Sequence, residues 1–407
     1  MNLFILSSFA TLLITKDSYN YIPFVFSLVV LAKLLLEKKK INLGTDGCVN
    51  TWFKYSVGVL SACFIIHLVY TLVMDENIKQ LDNPSRILMF MPLAFYAWNK
   101  KSTLSLLRGA TWGAIIGGCI ASYGAYVLGS SRGFPRGYMV IQAGDMAMSL
   151  GLFALIGFWY AYRKNIKSKY IFLLGYFCGI WGSLLSGSRG GWIILVPALM
   201  IIFVAYRQMV TKSLLTVVII GTVGLVFING ITSQHSAIAR YQQMEKQVQS
   251  YEHENNSKTS VGIRFNMWKA AALAIKERPL VGWGYSGAQS KKAKQAEEGI
   301  LEKEAVKYNH VHNQYLNDWL ERGILGLVTG LGIFLVPLCY FCQIVKEKST
   351  ENSLYAVALI GVVHVLATFS YGLTQGFLEH NSGSVFYFFV LMLLLGITRS
   401  VYSSDER

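Results

Sequence analysis

Long apolar runs, almost free of charge and broken by short charged clusters, recur along this chain from Asn2 to Thr398, and nothing else in the sequence constrains its fold so tightly. In lipid every backbone N–H and C=O must find a partner within the protein, which leaves only helices and closed barrels. A barrel would show alternation in segments of about ten residues, whereas these runs are continuous. The chain therefore reads as an all-α, polytopic membrane protein. With 53% hydrophobic and 14% charged residues in 407, it lacks the polar surface of a soluble domain.

Twelve spans are predicted, at 2–15, 20–36, 52–74, 86–98, 104–129, 138–162, 169–186, 190–206, 213–232, 314–344, 353–371 and 383–398. The first and fourth are short of the roughly 20 residues a crossing requires, and the tenth is long. The N-terminal stretch has no basic region and no A-x-A site, so it reads as an uncleaved first span. Alternate loops are unequal in charge. Those with Lys38, Lys39, Lys40, Lys100, Lys101, Arg108, Arg163, Lys164, Lys167, Lys169, Arg207, Lys212, Lys346, Lys348, Arg399 and Arg407 far outweigh those with Lys16, Lys79, Arg86, Arg132, Arg136 and Arg189. The positive-inside rule then puts both termini in the cytoplasm and residues 233–311 outside. The organisation expected is nine spans in 1–232, a large external loop with helices in 233–311, and three spans in 312–407. Much of the net charge of +15 is this cytoplasmic excess, so nucleic acid is not implied.

The loop is too long for a bare connector. Ala237–Glu254 and residues 287–307 are polar and helix-favouring. Residues 261–277 are amphipathic, with Val261, Phe265, Trp268, Ala272 and Ile275 at helical spacing and Pro279 as a stop. Residues 278–285 read as turns, and the acids Glu297, Glu298, Glu302 and Glu304 as a solvated face. Cys339 and Cys342 have the spacing of a redox or zinc pair, but no second pair exists and both lie in an apolar span, where packing in the core is expected.

Four places carry candidate chemistry. Ser186-Gly187-Ser188-Arg189-Gly190-Gly191 joins spans seven and eight. A serine N-cap, flexible glycines, free helix amides and an arginine fork together suit an anion, although a tight turn with a solvated arginine fits the same residues. Arg264 opens the amphipathic loop helix, where a cation opposes the helix dipole unless an anion is brought there. His312 stands where the loop meets span ten and can take a proton at neutral pH; capping the span is its bland alternative, and His310 competes for either role. His67 and His364 read as structural, and His235, His253 and His380 lie outside without a pattern. Asp145 is an acid inside span six, a functional candidate whose role stays open. The loop has no aspartate and the chain no P-loop or H-E-x-x-H, which argues against a metal.

His312 and Asn313, nine residues, then Gly323, two residues and Gly326 form a pattern that resembles the O-antigen ligase family, within a wider superfamily that includes O-antigen polymerases. The twelve-span plan with a large loop before the third-last span is similar too, and Arg189 and Arg264 fall where the family keeps its essential arginines. Some relatives carry an acid between the last two spans, where Thr374 and Gln375 stand here. The resemblance implies a protein of the bacterial inner membrane with its active site on the periplasmic side. It would transfer O-antigen polysaccharide from undecaprenyl diphosphate to a sugar hydroxyl of lipid A-core by inverting glycosyl transfer, needing no metal, nucleotide or other cofactor. His312 would be the catalytic base, with Arg189 and Arg264 binding the diphosphate. A polymerase with an undecaprenyl-linked acceptor and a lipid-linked oligosaccharide transporter are the other readings.

Overall fold

The structure, a computed structural model, describes residues 1–37, 48–232, 236–254, 256–350 and 352–405. Lys38, Lys39, Lys40, His235 and Arg407 lie outside them. Every regular element among the described residues is helical. In order these are α1 (Asn2–Ala10), α2 (Ser18–Leu36), α3 (Cys48–Val73), α4 (Ser85–Phe95), α5 (Lys101–Tyr126), α6 (Val140–Arg163), α7 (Lys169–Ser186), α8 (Arg189–Ala205) and α9 (Lys212–Thr232). Then come α10 (Ala237–Glu254), α11 (Gly262–Glu277), α12 (Gly284–Glu297), α13 (Gln314–Glu347), α14 (Ser353–Gly372) and α15 (Asn381–Asp405).

Nine of these, α2, α3, α5, α6, α7, α9, α13, α14 and α15, are long and apolar enough to cross a membrane. The spans expected at 2–15, 86–98 and 190–206 appear as α1, α4 and α8, of 9, 11 and 17 residues. At 1.5 Å per residue they reach about 14, 17 and 26 Å, so α1 and α4 are too short to cross about 30 Å of hydrocarbon unaided. The local causes are visible. Ser18 turns the chain after α1 by bonding the carbonyls of Leu12 and Thr15 at 3.1 and 2.9 Å. At the end of α4, Tyr96 adopts an extended backbone.

Helices α6, α14 and α15 form the buried centre, with Trp159, Tyr371 and Tyr387 fully enclosed. Around them α5 and α7 pack on α6, α13 packs on α3 and α14, and α4 packs on α15. Helices in lipid gain no hydrophobic drive from one another and rely on close approach through small residues. At the α6–α7 crossing a Cβ on Gly179 would come 2.6 Å from the Gly151 Cα. By contrast, α9 turns Ile220, Val223 and Phe227 outward, as a lipid-facing helix should. Cys339 and Cys342 also face outward on α13 rather than into the core, correcting the expectation that they pack inside.

The long tenth span is one helix with a break. Gly323 has φ 60° and ψ −156°, inside α13. The chain entering α12 crosses there: Trp283 N–H donates to the Leu320 carbonyl at 3.0 Å, and a Cβ on Gly323 would collide with the Leu280 carbonyl. The nine residues before the break carry most of the polar side chains of α13. In the loop, α10 has the expected bounds, and the 278–283 turn ends at Gly282 and Gly284, both with positive φ. The buried face of α11 is rotated from the one expected. Ile263, Met267, Ala270, Ala271 and Ala274 pack toward α12 and α13 in a second small core, while Val261, Phe265 and Trp268 face a cleft.

Candidate active site

The segment that leads into α13 shows why His-Asn opens it. Asn313 caps the helix, its Oδ1 accepting from the amides of Tyr315 and Leu316 at 3.1 and 3.0 Å. The cap is thus Asn313 and not the His312 ring. His312 has a left-handed backbone, φ 52°, which is costly for a residue with a side chain. What holds it is its neighbour: the His312 N–H donates to His310 Nδ1 at 3.1 Å. The two rings are 4.5 Å apart, with Tyr308 4.9 Å from His312 and His380 5.3 Å from His310. His380, which the sequence left without a pattern, is therefore part of the cluster.

Beside this segment lies a cleft of about 540 Å³ between α8, α10, α11 and the α14–α15 turn. Arg189 and Arg264, over 70 residues apart in the chain, both line it, and so do Arg132 and Arg240. Among the described residues no aspartate or glutamate lines it, while Trp192, Ile193, Met244, Val248 and Phe265 make an apolar wall. Four guanidiniums gathered here repel one another, with Asp145 behind the lining partly offsetting Arg132 alone. Burial first, and then Arg189 and Arg132, push Arg264 down to about 10. Such a site gains by taking in an anion. Arg132 and Arg240 were not singled out in the sequence, where nothing marks a cation in a turn or on a polar helix until the fold gathers it.

Asp145 organises one edge of the cleft. Fully buried, it accepts from Ser188 Oγ at 2.7 Å, from Gln375 Nε2 at 2.9 Å and from the Gly191 amide. This corrects the reading of the Ser186–Gly191 turn as an anion site built on serine and free amides. Ser188 sits at the N-cap of α8 but its hydroxyl points to Asp145, and an amide of the first turn is already satisfied by that carboxylate. What remains for a ligand is Arg189, whose position follows from the anchored turn.

On the other side of the histidines is a second cavity, of about 450 Å³. His310, Gln314, Asp318, Glu321 and Arg322 are buried in its lining, joined by His67, Tyr285, Glu379 and His380. Arg322 pairs with Asp318 at 2.5 Å and Glu321 at 2.8 Å. Glu379, in the α14–α15 turn, accepts from Gln314 Nε2 at 3.1 Å and Asn317 Nδ2 at 3.4 Å. The turn in which only Thr374 and Gln375 were expected thus does hold an acid beside the histidines. Sequence reading missed it because Glu379 reaches the site only after Leu378 is tied to Gln314 Oε1 at 3.0 Å.

Two turns separate the cavities. Residues 308–310 and 378–380 face the second cavity, whose lining pairs Lys79, Lys307 and Arg322 with Asp318, Glu321 and Glu379, and 374–375 the arginine cleft, while Trp268 of the cleft holds the Val311 carbonyl at 2.9 Å. His312 packs against Tyr308 and His310, which line the second cavity, but itself lines neither cavity. Burial, then His310 and Arg264, lower its imidazole to about 3, and burial lowers His310 to about 4, with Glu379 opposing. Both are therefore neutral at pH 7. A dianion paired with Arg264 would offset one of the charges that keep His312 weakly basic.

Residues 174–331 match the family described as O-antigen ligase. Over 401 residues, 97% of each chain, the protein is 33% identical to an uncharacterised protein of Haemophilus influenzae. The family match runs from within α7 into α13 and so contains Arg189, Arg264, His312, Gly323 and Gly326.

Proposed function

This chain belongs to the O-antigen ligase family, and from that premise we propose that it transfers O-antigen polysaccharide from undecaprenyl diphosphate to a sugar hydroxyl of lipid A-core in a bacterial inner membrane. The observation that carries the reading is the arginine cleft: four guanidiniums, no carboxylate among the described residues of its lining, and an apolar wall suit a diphosphate headgroup on a lipid chain. Part of the same proposal is a topology of twelve crossings in which α1, α4 and α8 complete the count. Both termini are then cytoplasmic, and residues 233–311 and the site are periplasmic.

In the mechanism, Arg189 and Arg264 grip the diphosphate, with Arg132 and Arg240 adding positive charge. The acceptor hydroxyl attacks the anomeric carbon from the face opposite the diphosphate. As the new C–O bond forms, the bond to phosphate breaks and its electron pair leaves on the diphosphate. A ring nitrogen of His312 takes the hydroxyl proton, and inversion follows from a single displacement. The arginines stabilise the charge that grows on the leaving group. Asp145 holds the Arg189 turn, and His310 holds the strained His312 backbone.

The test is transfer by purified protein in EDTA, with undecaprenyl-diphosphate glycan as donor and lipid A-core as acceptor. Ladder-type lipopolysaccharide, lost in a properly inserted His312→Ala variant, is the expected result. Elongation of undecaprenyl-linked chains with lipid A-core untouched would replace this reading with a polymerase. No transfer to either acceptor, with donor still bound, would favour transport.

A further inference from the structure

Helix α8 begins at the arginine cleft, and its other end borders a groove that no step of the transfer uses. Helix α14 packs on α8 on one side and on α13 on the other, and between those two a groove of about 1090 Å³ runs along it. Tyr355, Leu359, Val362 and Leu366, spaced to share one face of α14, form the floor. Met200 and Val204 of α8, both turned outward, make one wall, and Leu338 and Val345 of α13 the other. From Tyr355 to Leu366 the floor runs about 17 Å at 1.5 Å per residue. A hydrocarbon core is about 30 Å thick, so the groove is one leaflet deep, the reach of one acyl chain.

The groove is apolar along its length and basic at one end. Arg207, just past α8, and Lys346 and Lys348, where α13 finishes, stand there with the hydroxyls of Ser349 and Thr350. Among the described residues no aspartate or glutamate lines it. Glu347, between the lysines, instead accepts from Gln343 Nε2 at 2.6 Å and from the Tyr402 hydroxyl at 3.0 Å, with Lys348 over the Tyr402 ring; Glu351 lies outside the described residues. Arg207 and Lys346 are exposed at the rim. The Tyr355 hydroxyl donates to the Ala205 carbonyl at 3.0 Å and its ring packs on Tyr206, which fixes the end of α8 against α14 at that rim. Cations at the last turn of a helix, on the side the loop charges assign to the cytoplasm, are ordinary. What sets these apart is that they open onto an apolar channel.

We infer that the groove binds one anionic glycerophospholipid of the surrounding bilayer, an acyl chain lying along the α14 floor and the phosphate between Arg207 and Lys346. This stands apart from the transfer reaction, whose residues gather at the opposite end of α8. The rim repels the ammonium of a zwitterionic lipid, and a polyprenyl chain is longer than the leaflet to which the channel is matched.

The experiment titrates the full-length protein, stripped of lipid in detergent, with palmitoyl-oleoyl phosphatidylglycerol, with phosphatidylcholine of the same chains and with undecaprenyl phosphate, and follows adducts by native mass spectrometry. One saturable phosphatidylglycerol per chain is expected, bound about fivefold or more tighter than phosphatidylcholine. Arg207→Gln and Lys346→Gln should each weaken it about fivefold, the size of one basic residue's attraction to anionic lipid. Val204→Trp, which puts a bulky ring on the groove wall, should weaken both glycerophospholipids. Lys167→Gln, in the turn between α6 and α7, controls for general surface charge and should leave affinity within about twofold. All four positions are exposed, so each variant keeps its core. Equal binding of the two glycerophospholipids, adducts that never saturate, or unchanged affinity in Arg207→Gln, Lys346→Gln or Val204→Trp would overturn the site. So would an effect of Lys167→Gln as large as that of Arg207→Gln. Undecaprenyl phosphate bound more tightly than phosphatidylglycerol, and weakened by Arg207→Gln, would also overturn it and give the groove to the carrier lipid.

Discussion

At the residue scale the site depends on guanidinium geometry and on histidines kept neutral. Lysine supplies a point charge where arginine offers a planar fork, so Arg189→Lys and Arg264→Lys should each lower kcat/KM by roughly 100-fold, the size of losing one preorganised donor to developing charge. A loss under threefold in a steady-state assay would show that charge alone suffices. The histidines predict acid sensitivity. His312 and His310 lie at about 3 and 4 in the folded protein, and His380 is also lowered by burial; all would titrate near 6.5 when unfolded. Folded values below unfolded ones mean that the stability is intact above about pH 6.5 and is lost as pH falls toward 4 and 3. Melting temperature measured from pH 7.5 to 4 should therefore decline, and less so in His310→Gln. A flat profile would contradict neutral burial. Of these residues His312, Arg189 and Arg264 were legible in the sequence because they sit in a recognisable spacing or at a helix start. Glu379, Arg132 and Arg240 were not, since each reaches the site through a contact with a remote element.

At the scale of elements, the break in α13 is what turns its polar first turns toward the cavity while the rest continues as an apolar span. Gly323 meets two demands at once, a positive φ and contact with the crossing chain at Leu280. Gly323→Ala should therefore cost roughly 3 kcal/mol. Gly299→Ala makes a control: Gly299 has φ 74° but open space around it, so strain alone applies, about 1 kcal/mol. Thermal unfolding of the two variants in one detergent should rank them so, and equal shifts would mean that the crossing contact contributes nothing. The sequence showed that the tenth span was too long but not where it breaks, because a glycine in an apolar helix is ordinarily just a packing residue. The face of α11 was misjudged for a related reason. Its aromatics repeat at helical spacing as a core face would, yet they line the arginine cleft, and the alanines pack instead.

At the scale of the molecule, the charge asymmetry of the loops predicts orientation. In a variant without native cysteines, a cysteine at exposed position 258 between α10 and α11 should react with a membrane-impermeant maleimide in cells with a permeabilised outer membrane. One at exposed position 165 between α6 and α7 should not. The reverse pattern would invert the topology and place the site in the cytoplasm. The sequence alone determined that the chain is helical and embedded, because continuous apolar runs leave the backbone no other way to satisfy its polar groups. It also marked His312, Arg189 and Arg264 through spacing that survives in one dimension. Only the tertiary structure decided that the two arginines share a cleft with two more, that Asp145 anchors the turn of one of them, and that a second, polar cavity lies beside His310. Those facts are distances between remote segments, set by how helices pack, and no local pattern of residues encodes them.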